Sequence, residues 1–204
     1  MNAVNTHAHP PSGANRLRII GGRWRGTRLN FPEVMAIRPT PDRVRETLFN
    51  WLQSDILNAH CLDLFAGSGA LGLEALSRGA SAVTFVDREA IIGRYLRETL
   101  ARLHCDQGEV HTTDAMRFLQ QPAKPFDIVF LDPPFADSAD RQLLTQVCSQ
   151  LETQDWLKTR AHIYIECPSS MGSPDSIPQW PANWTLHRSK TAGQVGYHLA
   201  KRIA

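Results

Sequence analysis

The sequence predicts a doubly wound α/β domain, with a mostly parallel sheet that ends in an antiparallel hairpin. Short apolar runs typical of buried strands alternate with helical patterns between residues 60 and 166, and this alternation is typical of parallel strands joined by right-handed crossovers. Two runs, 184–190 and 195–202, alternate polar and apolar residues on either side of a short turn, which indicates a β-hairpin. Aspartates follow several strands, at the sheet edge where such folds bind ligands.

The composition is that of an ordinary globular protein. The 204 residues are 42% hydrophobic and 21% charged, which suits one main domain with a small extension. No apolar run approaches the roughly 18 residues of a membrane span, and residues 1–15 lack the features of a secretory signal, so we expect a disordered tail on a cytoplasmic protein. The four cysteines form no C-x-x-C pair and the histidines no H-x-x-x-H pair, which favours buried free thiols over a metal or redox site.

The N-terminal extension, predicted at residues 16–55, is rich in arginine. Residues 16–45 contain eight arginines and two acids, a balance of +6 in a chain whose net charge is +2. Arginine forms planar paired contacts with phosphates and stacks on bases, so the excess predicts a surface that binds a polyanion. Trp24, between Arg23 and Arg25, adds a stacking partner. The alternative is a small hairpin with solvated charges.

A helix is predicted to begin near Thr40. Thr40 suits the N-cap, Pro41 suits the first helical position, and Asp42 suits the positive end of the helix dipole. The apolar residues that recur at helical spacing, and that we expect to pack on the core, are Val44, Leu48, Trp51 and Leu52. The arginines left for the other side are Arg38, Arg43 and Arg45.

A glycine-rich loop follows the first strand of the main domain, which is predicted at 61–65. The loop runs from Ala66 to Gly69 and leads into a helix that ends at Gly79. Glycines there let the backbone approach a ligand closely. The spacing of Gly67, Gly69 and Gly72 also matches G-x-G-x-x-G, so a dinucleotide site has to be considered as well.

Acids follow the next two strands, predicted at 82–86 and 109–112 with a helix at 89–103 between them. Asp87 lies twenty residues after Gly67, where a carboxylate can accept hydrogen bonds from both hydroxyls of a ribose. Asp114 precedes a short helical pattern and either caps that helix or contacts a ligand.

The fourth strand, 126–131, leads into Asp132-Pro133-Pro134-Phe135. The two prolines cannot extend a sheet ladder and their φ angles are fixed, so the Asp132 carboxylate is held rigidly beside the flat apolar ring of Phe135. A proline-rich turn alone would have the same sequence. A nicotinamide or flavin enzyme would use the glycine loop and the ribose acid, but it would not need this tetrapeptide. A helix at 141–154, a strand at 162–166 and a loop at 168–181 are predicted before the hairpin.

The segment from Asp63 to Gly69, taken together with Asp132 to Phe135, resembles S-adenosylmethionine-dependent methyltransferases that act on exocyclic amino groups. Three further features extend the resemblance: the segment from Arg38 to Asn50, the Gly21-Gly22 pair before it, and the turn at 192–195. From about residue 17 to its end, the chain resembles the bacterial RsmD family, the 16S rRNA guanine-N2 methyltransferases.

The resemblance implies a Rossmann-like methyltransferase fold at 56–204 with a seven-stranded sheet, S-adenosylmethionine as cofactor and no metal. It implies a cytoplasmic monomer whose partner is 16S rRNA in a partly assembled small ribosomal subunit. The implied cofactor-binding residues are Asp63, Phe65, Ala66, Gly67, Ser68, Gly69, Asp87, Asp114 and Ala115. The implied catalytic residues are Asp132, Pro133, Pro134 and Phe135. The residues expected to bind the RNA are Arg23, Trp24, Arg25, Arg38, Arg43, Arg45, Arg188 and Lys190.

Other functions remain open from the residues alone. A DNA or other RNA amino-methyltransferase of the N6-adenine type would share the tetrapeptide, although such enzymes usually carry a target-recognition region for which about 200 residues leave little room. An RNA-binding protein without activity would explain the arginines but not the acids at the strand ends. The preference for guanine over adenine rests on the family resemblance.

Overall fold

The computed structural model describes residues 16–32, 39–134, 138–169 and 180–203. The predicted tail at 1–15, Arg38 and Phe135 lie outside these ranges. Within them, the strands are β1 (Arg16–Arg18), β2 (Arg28–Asn30), β3 (His60–Asp63), β4 (Ala82–Asp87), β5 (Gly108–Thr112), β6 (Phe126–Leu131), β7 (Leu157–Pro168), β8 (Trp184–Ala192) and β9 (Val195–Arg202). The α-helices are α1 (Asp42–Trp51), α2 (Ala70–Ser77), α3 (Ala90–Arg102), α4 (Ala115–Phe118) and α5 (Ser138–Thr153).

Seven strands form one sheet in the order β5-β4-β3-β6-β7-β9-β8. The pairs from β5 to β7 are parallel, and β9 pairs antiparallel with both β7 and β8. This confirms the predicted parallel sheet with a terminal antiparallel hairpin. The strand order reverses between β3 and β6, so the loops that follow these two strands diverge and leave a crevice at the carboxyl edge.

The sheet is buried on both faces, which explains the near-continuous apolar runs of its central strands. Cys61 and Phe130 face a core shared with α1, α2 and α3. Leu62 and Val129 face the opposite core, which includes residues of α4 and α5. Alternate residues of one strand therefore serve different cores, as strand geometry requires.

The N-terminal extension shares the first of these cores. β1 and β2 form an antiparallel pair of their own, but Leu17, Ile19, Leu29 and Phe31 are buried in the same cluster as residues of α1, α2 and α3. The extension is therefore anchored to the seven-stranded sheet by apolar packing, and its position relative to the sheet edge is defined.

Several element boundaries differ from the sequence prediction. β7 begins at Leu157, five residues before the predicted strand at 162–166. The prediction missed this first part because polar residues such as Lys158 and Arg160 interrupt the apolar pattern there. β3 ends at Asp63 and not at Phe65, so the loop begins two residues early. All four cysteines are buried free thiols, as predicted. In the described part of the chain, no helix is long and apolar enough to cross a bilayer.

Candidate active site at the carboxyl edge of the sheet

A cavity of about 480 Å³ opens where the strand order reverses, a volume within the range of small-molecule sites. The predicted residues that line it are Asp63, Phe65, Ala66, Gly67, Ser68, Asp132, Pro133 and Pro134. The lining residues that the sequence analysis did not select are Pro39, Thr40, Ala70, Leu71, Arg88 and Glu89. Among the predicted cofactor residues, Gly69, Asp87, Asp114 and Ala115 do not line this cavity.

Two carboxylates hold the glycine loop and the first turn of α2. The Oδ2 atom of Asp87 accepts a hydrogen bond from the Gly67 N–H at 2.9 Å, and Oδ2 of Asp63 accepts one from the Gly72 N–H at 2.9 Å. Gly69 has a φ of +74°, and a Cβ atom there would lie 2.6 Å from the Leu96 side chain. The loop conformation therefore requires glycine at this position.

Gly72, the third glycine of the motif, has a packing role. A Cβ atom at Gly72 would lie 2.2 Å from the Phe85 ring, so glycine is what allows α2 to approach the sheet closely. This explanation needs no phosphate at the loop.

Asp63 is almost completely buried, with 2% of its surface exposed. Burial raises the pKa of its carboxyl group to about 7; the Gly72 N–H opposes this rise, and the negative charges of Asp132 and Asp87 add to it. Burial also raises the pKa of Asp87, while hydrogen bonds from the backbone of Glu89 and Gly67 oppose the change. Asp63 therefore offers the cavity a carboxyl group that can accept a hydrogen bond from a ligand, whereas Asp87 does not line the cavity.

Asp132 is half-buried at the carboxyl end of β6. Its Oδ2 atom accepts a hydrogen bond from the Thr40 hydroxyl at 3.3 Å. Burial raises the pKa of Asp132 to about 6, against the opposing effect of the Thr40 hydrogen bond. The prediction that Thr40 caps α1 is wrong: Pro41 is at the N-cap and no side chain caps the helix there. Thr40, a residue of the N-terminal extension, instead contacts Asp132 through its buried hydroxyl and is therefore part of the candidate active site.

A second cavity, of about 580 Å³, is also lined by Asp132. Its lining residues are Asp132, Glu166, Cys167, Pro168, Ser169, Gln194 and Val195. Glu166, near the end of β7, is only 5% exposed, and its Oε1 accepts a hydrogen bond from the Tyr164 hydroxyl at 2.8 Å. Burial, with the charge of Asp132 next in weight, raises the pKa of Glu166 to about 8. An acid near the end of an apolar strand was the available sequence signal for this residue, as it was for Asp132.

Asp114 caps α4. Its Oδ1 atom accepts hydrogen bonds from the backbone N–H groups of Met116 at 2.9 Å and Arg117 at 3.2 Å. Of the two roles considered for this residue, the structure confirms the N-cap. Contact with a ligand stays a prediction, and the neighbouring Ala115 is buried in the core beneath α4.

Five of the predicted RNA-binding residues have exposed side chains: Arg23, Arg25, Arg43, Arg188 and Lys190. Arg23 lies over the Trp24 ring at 4.1 Å and also donates to Gln107 at 3.0 Å. Lys190, on the exposed face of β8, lies 6.0 Å from the centroid of the Trp51 ring. These residues combine cations with aromatic rings at the surface.

Arg45 departs from the sequence prediction. Its side chain is 1% exposed and donates to the backbone carbonyls of Thr40 and Arg18, while its guanidinium pairs with Asp42 and with Glu74. The prediction that Arg45 faces an RNA is therefore wrong. The carboxylate of Glu74, 29 residues away in the chain, offsets part of the cost of burying the arginine, and no local pattern contains that information.

No group of three or more histidine, cysteine, aspartate or glutamate side chains in the described ranges is arranged to hold a metal ion.

Comparison with known proteins gives a consistent result. The profile of a family described as "conserved hypothetical protein 95" matches residues 17–201. The chain is 49% identical to ribosomal RNA small subunit methyltransferase D of Escherichia coli over 193 residues, which cover 95% of this chain and 93% of that protein. It is 43% identical to the protein of the same name from Haemophilus influenzae, with coverage of 93% and 95%.

A solved structure supports the same relationship. The putative methyltransferase YhhF of Escherichia coli is similar to this chain with a TM-score of 0.83 and 48% identity, over 93% of this chain and 99% of that one. This likeness confirms that the predicted fold is that of a methyltransferase.

Proposed function

The chain belongs to the family of ribosomal RNA small subunit methyltransferase D, as the sequence resemblance predicted, and we propose that it methylates 16S rRNA with S-adenosylmethionine. The proposed acceptor is the exocyclic N2 amino group of one guanine in the small ribosomal subunit. The observation that supports this most strongly is the position of Asp132, which lines both the cavity at the glycine loop and the second cavity beside β7.

The first cavity has the chemistry that S-adenosylmethionine requires. Asp63 and Glu89 on its walls supply acceptors for an ammonium group and for ribose hydroxyls, while Phe65, Leu71 and Pro133 supply apolar surface for an adenine ring and a thioether chain. Asp87 does not line the cavity but positions its glycine loop by accepting a hydrogen bond from the Gly67 N–H. When bound, the cofactor supplies an electrophilic methyl group on a sulfonium.

The residues around Asp132 would hold the amino group of the base. The lone pair of guanine N2 is delocalised into the ring, so the group is a weak nucleophile and positioning provides most of the rate. Asp132 and the Pro133 carbonyl would accept the two N–H bonds and turn the lone pair toward the cofactor cavity. Phe135, which lies outside the described residues, would stack on the base.

Methyl transfer leaves one surplus proton on the amino nitrogen. Asp132 is the ionisable acceptor of this clamp, and its pKa of about 6 places it close to neutrality, where a group can accept a proton and release it again. A base in a helix cannot reach such a site, so the target guanine must be unpaired or flipped out of its stack.

The decisive variant is Asp132→Ala. We expect it to bind S-adenosylhomocysteine as the wild type does and to lose methyl transfer by about two to four orders of magnitude, the range for removal of a positioned acid or base. Tritiated methyl transfer to small-subunit rRNA would measure activity, and calorimetry would measure binding. Asp106→Ala, at an exposed acid that lines neither cavity, is the matched control. Full activity of Asp132→Ala would overturn the proposal.

Arginines of the N-terminal extension would hold the rRNA by its phosphates. Joint replacement of Arg23, Arg38 and Arg43 by glutamine is expected to weaken RNA binding and to reduce its salt dependence, by about one unit of slope for each phosphate that the protein no longer neutralises. Cofactor affinity should not change. An unaltered salt slope would remove these residues from the interface.

The target nucleotide can be identified in cells. Mapping of methylated guanines in rRNA from cells without this protein is expected to reveal one unmethylated position in 16S rRNA. Comparing naked 16S rRNA with partly assembled subunits as substrates would then show which form the enzyme acts on.

A further inference from the structure

Asp132 lines the second cavity, so a planar group bound there can contact it. In a direct methyl transfer the nucleophile, the methyl carbon and the sulfur lie in line, so the acceptor base must approach the methyl group from the side opposite the sulfur. Asp132 lines both cavities, and the buried carboxyl group of Glu166 lines the second one with it. A base that occupies this cavity with its amino group at Asp132 can therefore place its adjacent ring edge at Glu166.

The walls of this cavity are held together by the backbone. The Ser169 N–H donates to the Gln194 carbonyl at 2.7 Å, which joins the end of β7 to the turn of the β8–β9 hairpin. Glu166 is itself oriented by the Tyr164 hydroxyl, and Tyr164 is fully buried. The position of the Glu166 carboxyl group is thus set before any ligand binds.

The two purines differ at the edge that Glu166 would meet. Next to the amino group, guanine presents the N1–H donor and the C6 carbonyl acceptor. Adenine, with its own amino group in the same place, presents a lone pair on N1 and then a C–H bond. With a pKa of about 8, Glu166 is mostly neutral at pH 7 and has one donor and one acceptor. Guanine satisfies both of these groups, whereas adenine satisfies at most one.

We propose that Glu166 is the specificity-determining residue of this enzyme and that it binds the N1–H and C6 carbonyl of the target guanine in the second cavity. The inference rests on the proposed function, because it assumes that a base amino group is held at Asp132. A buried polar group left without a partner is what disfavours adenine at this site.

The test uses 2-aminopurine at the target position of small-subunit rRNA. This base keeps the 2-amino group but lacks both N1–H and the C6 carbonyl. We expect wild-type kcat/KM to fall by about tenfold or more relative to guanine. In Glu166→Ala the two RNAs should become nearly equal, because activity falls more on guanine than on 2-aminopurine. Glu166→Gln, which retains one donor and one acceptor, should restore most of the preference.

Each outcome separates this inference from the proposed function. If the wild type methylates neither RNA, the proposed function fails and the inference fails with it. If the wild type methylates guanine but does not discriminate against 2-aminopurine, the assignment of Glu166 alone is overturned, whatever the variants do. A preference that persists in Glu166→Ala, with S-adenosylhomocysteine binding intact, also overturns it.

Discussion

Buried carboxyl groups occur in two very different surroundings in this protein. Glu74, in α2, is fully buried and accepts hydrogen bonds from the backbone N–H groups of Ile20 and Gly21, both at 2.8 Å. It also pairs with Arg45 and Arg78. Asp63, Asp132 and Glu166 are withdrawn from water at the strand ends, and the described part of the chain provides none of them with an ion pair.

The difference shows how burial serves two purposes in one domain. Around Glu74 the charges are matched, so the carboxylate joins the N-terminal extension to α2 and fixes its position. At the strand ends the charge is not matched by a cation, so the pKa values of Asp63, Asp132 and Glu166 rise toward neutrality. Unmatched burial reduces stability but keeps these groups available to a ligand.

The largest expected effect is on stability, and it follows from removing the charge of Glu74, which pairs with Arg45 and Arg78. Glu74→Gln should lower the free energy of unfolding by up to about 3–5 kcal/mol, because Arg45 keeps its pair with Asp42 but loses the buried carboxylate of its other ion pair. Glu166→Gln makes the same chemical change at a site without a cation and should leave stability unchanged or raise it. Urea denaturation of both variants measures the contrast. Equal losses in the two variants would show that the surroundings do not differ in the way described.

A second, smaller effect concerns the pH dependence of stability. An acid whose pKa is raised on folding binds its proton more tightly in the folded state, so its contribution to stability falls as pH rises from about 4, its unfolded value, to its folded pKa. For Asp63, with a folded pKa of about 7, this window is about pH 4 to 7. Asp63→Asn retains an oxygen for the Gly72 N–H and should remove this decline.

The difference in unfolding free energy between Asp63→Asn and the wild type is the quantity to measure from about pH 5 to 8. It should move in favour of the variant by up to about 1.4 kcal/mol per pH unit. The difference is needed because burial lowers the pKa of His162 and His198, which act in the opposite direction as pH falls below about 6.5. A difference that is constant with pH would contradict the raised pKa of Asp63.

The smallest expected effect concerns the hydrogen bond that Asp132 accepts from Thr40. Thr40→Val keeps the side-chain shape and removes the hydroxyl that donates to Asp132, so the pKa of Asp132 should rise further. The acidic limb of the kcat profile should then move to higher pH, and kcat should fall by roughly fivefold, equivalent to about 1 kcal/mol for one hydrogen bond. Thr47→Val, whose hydroxyl bonds only the carbonyl of Arg43 within α1, is the control. An unshifted pH profile would show that Thr40 does not tune Asp132.

The sequence by itself determined the architecture and most of the first cavity. Apolar periodicity and turn residues are local properties, so they were sufficient to predict the order of strands and helices, the glycine loop, and Asp63 and Asp132 at the ends of their strands. The family resemblance supplied the cofactor and the substrate class.

Only the tertiary structure decided which polar side chains meet. Thr40 bonds Asp132 across 92 positions of the chain, and Arg45 pairs with Glu74 across 29. Helical position alone could assign Thr40 to a cap and Arg45 to the surface, since both residues are common in those places. The energy of a buried polar group depends on the partner that meets it in the folded core, and that partner comes from a distant part of the chain.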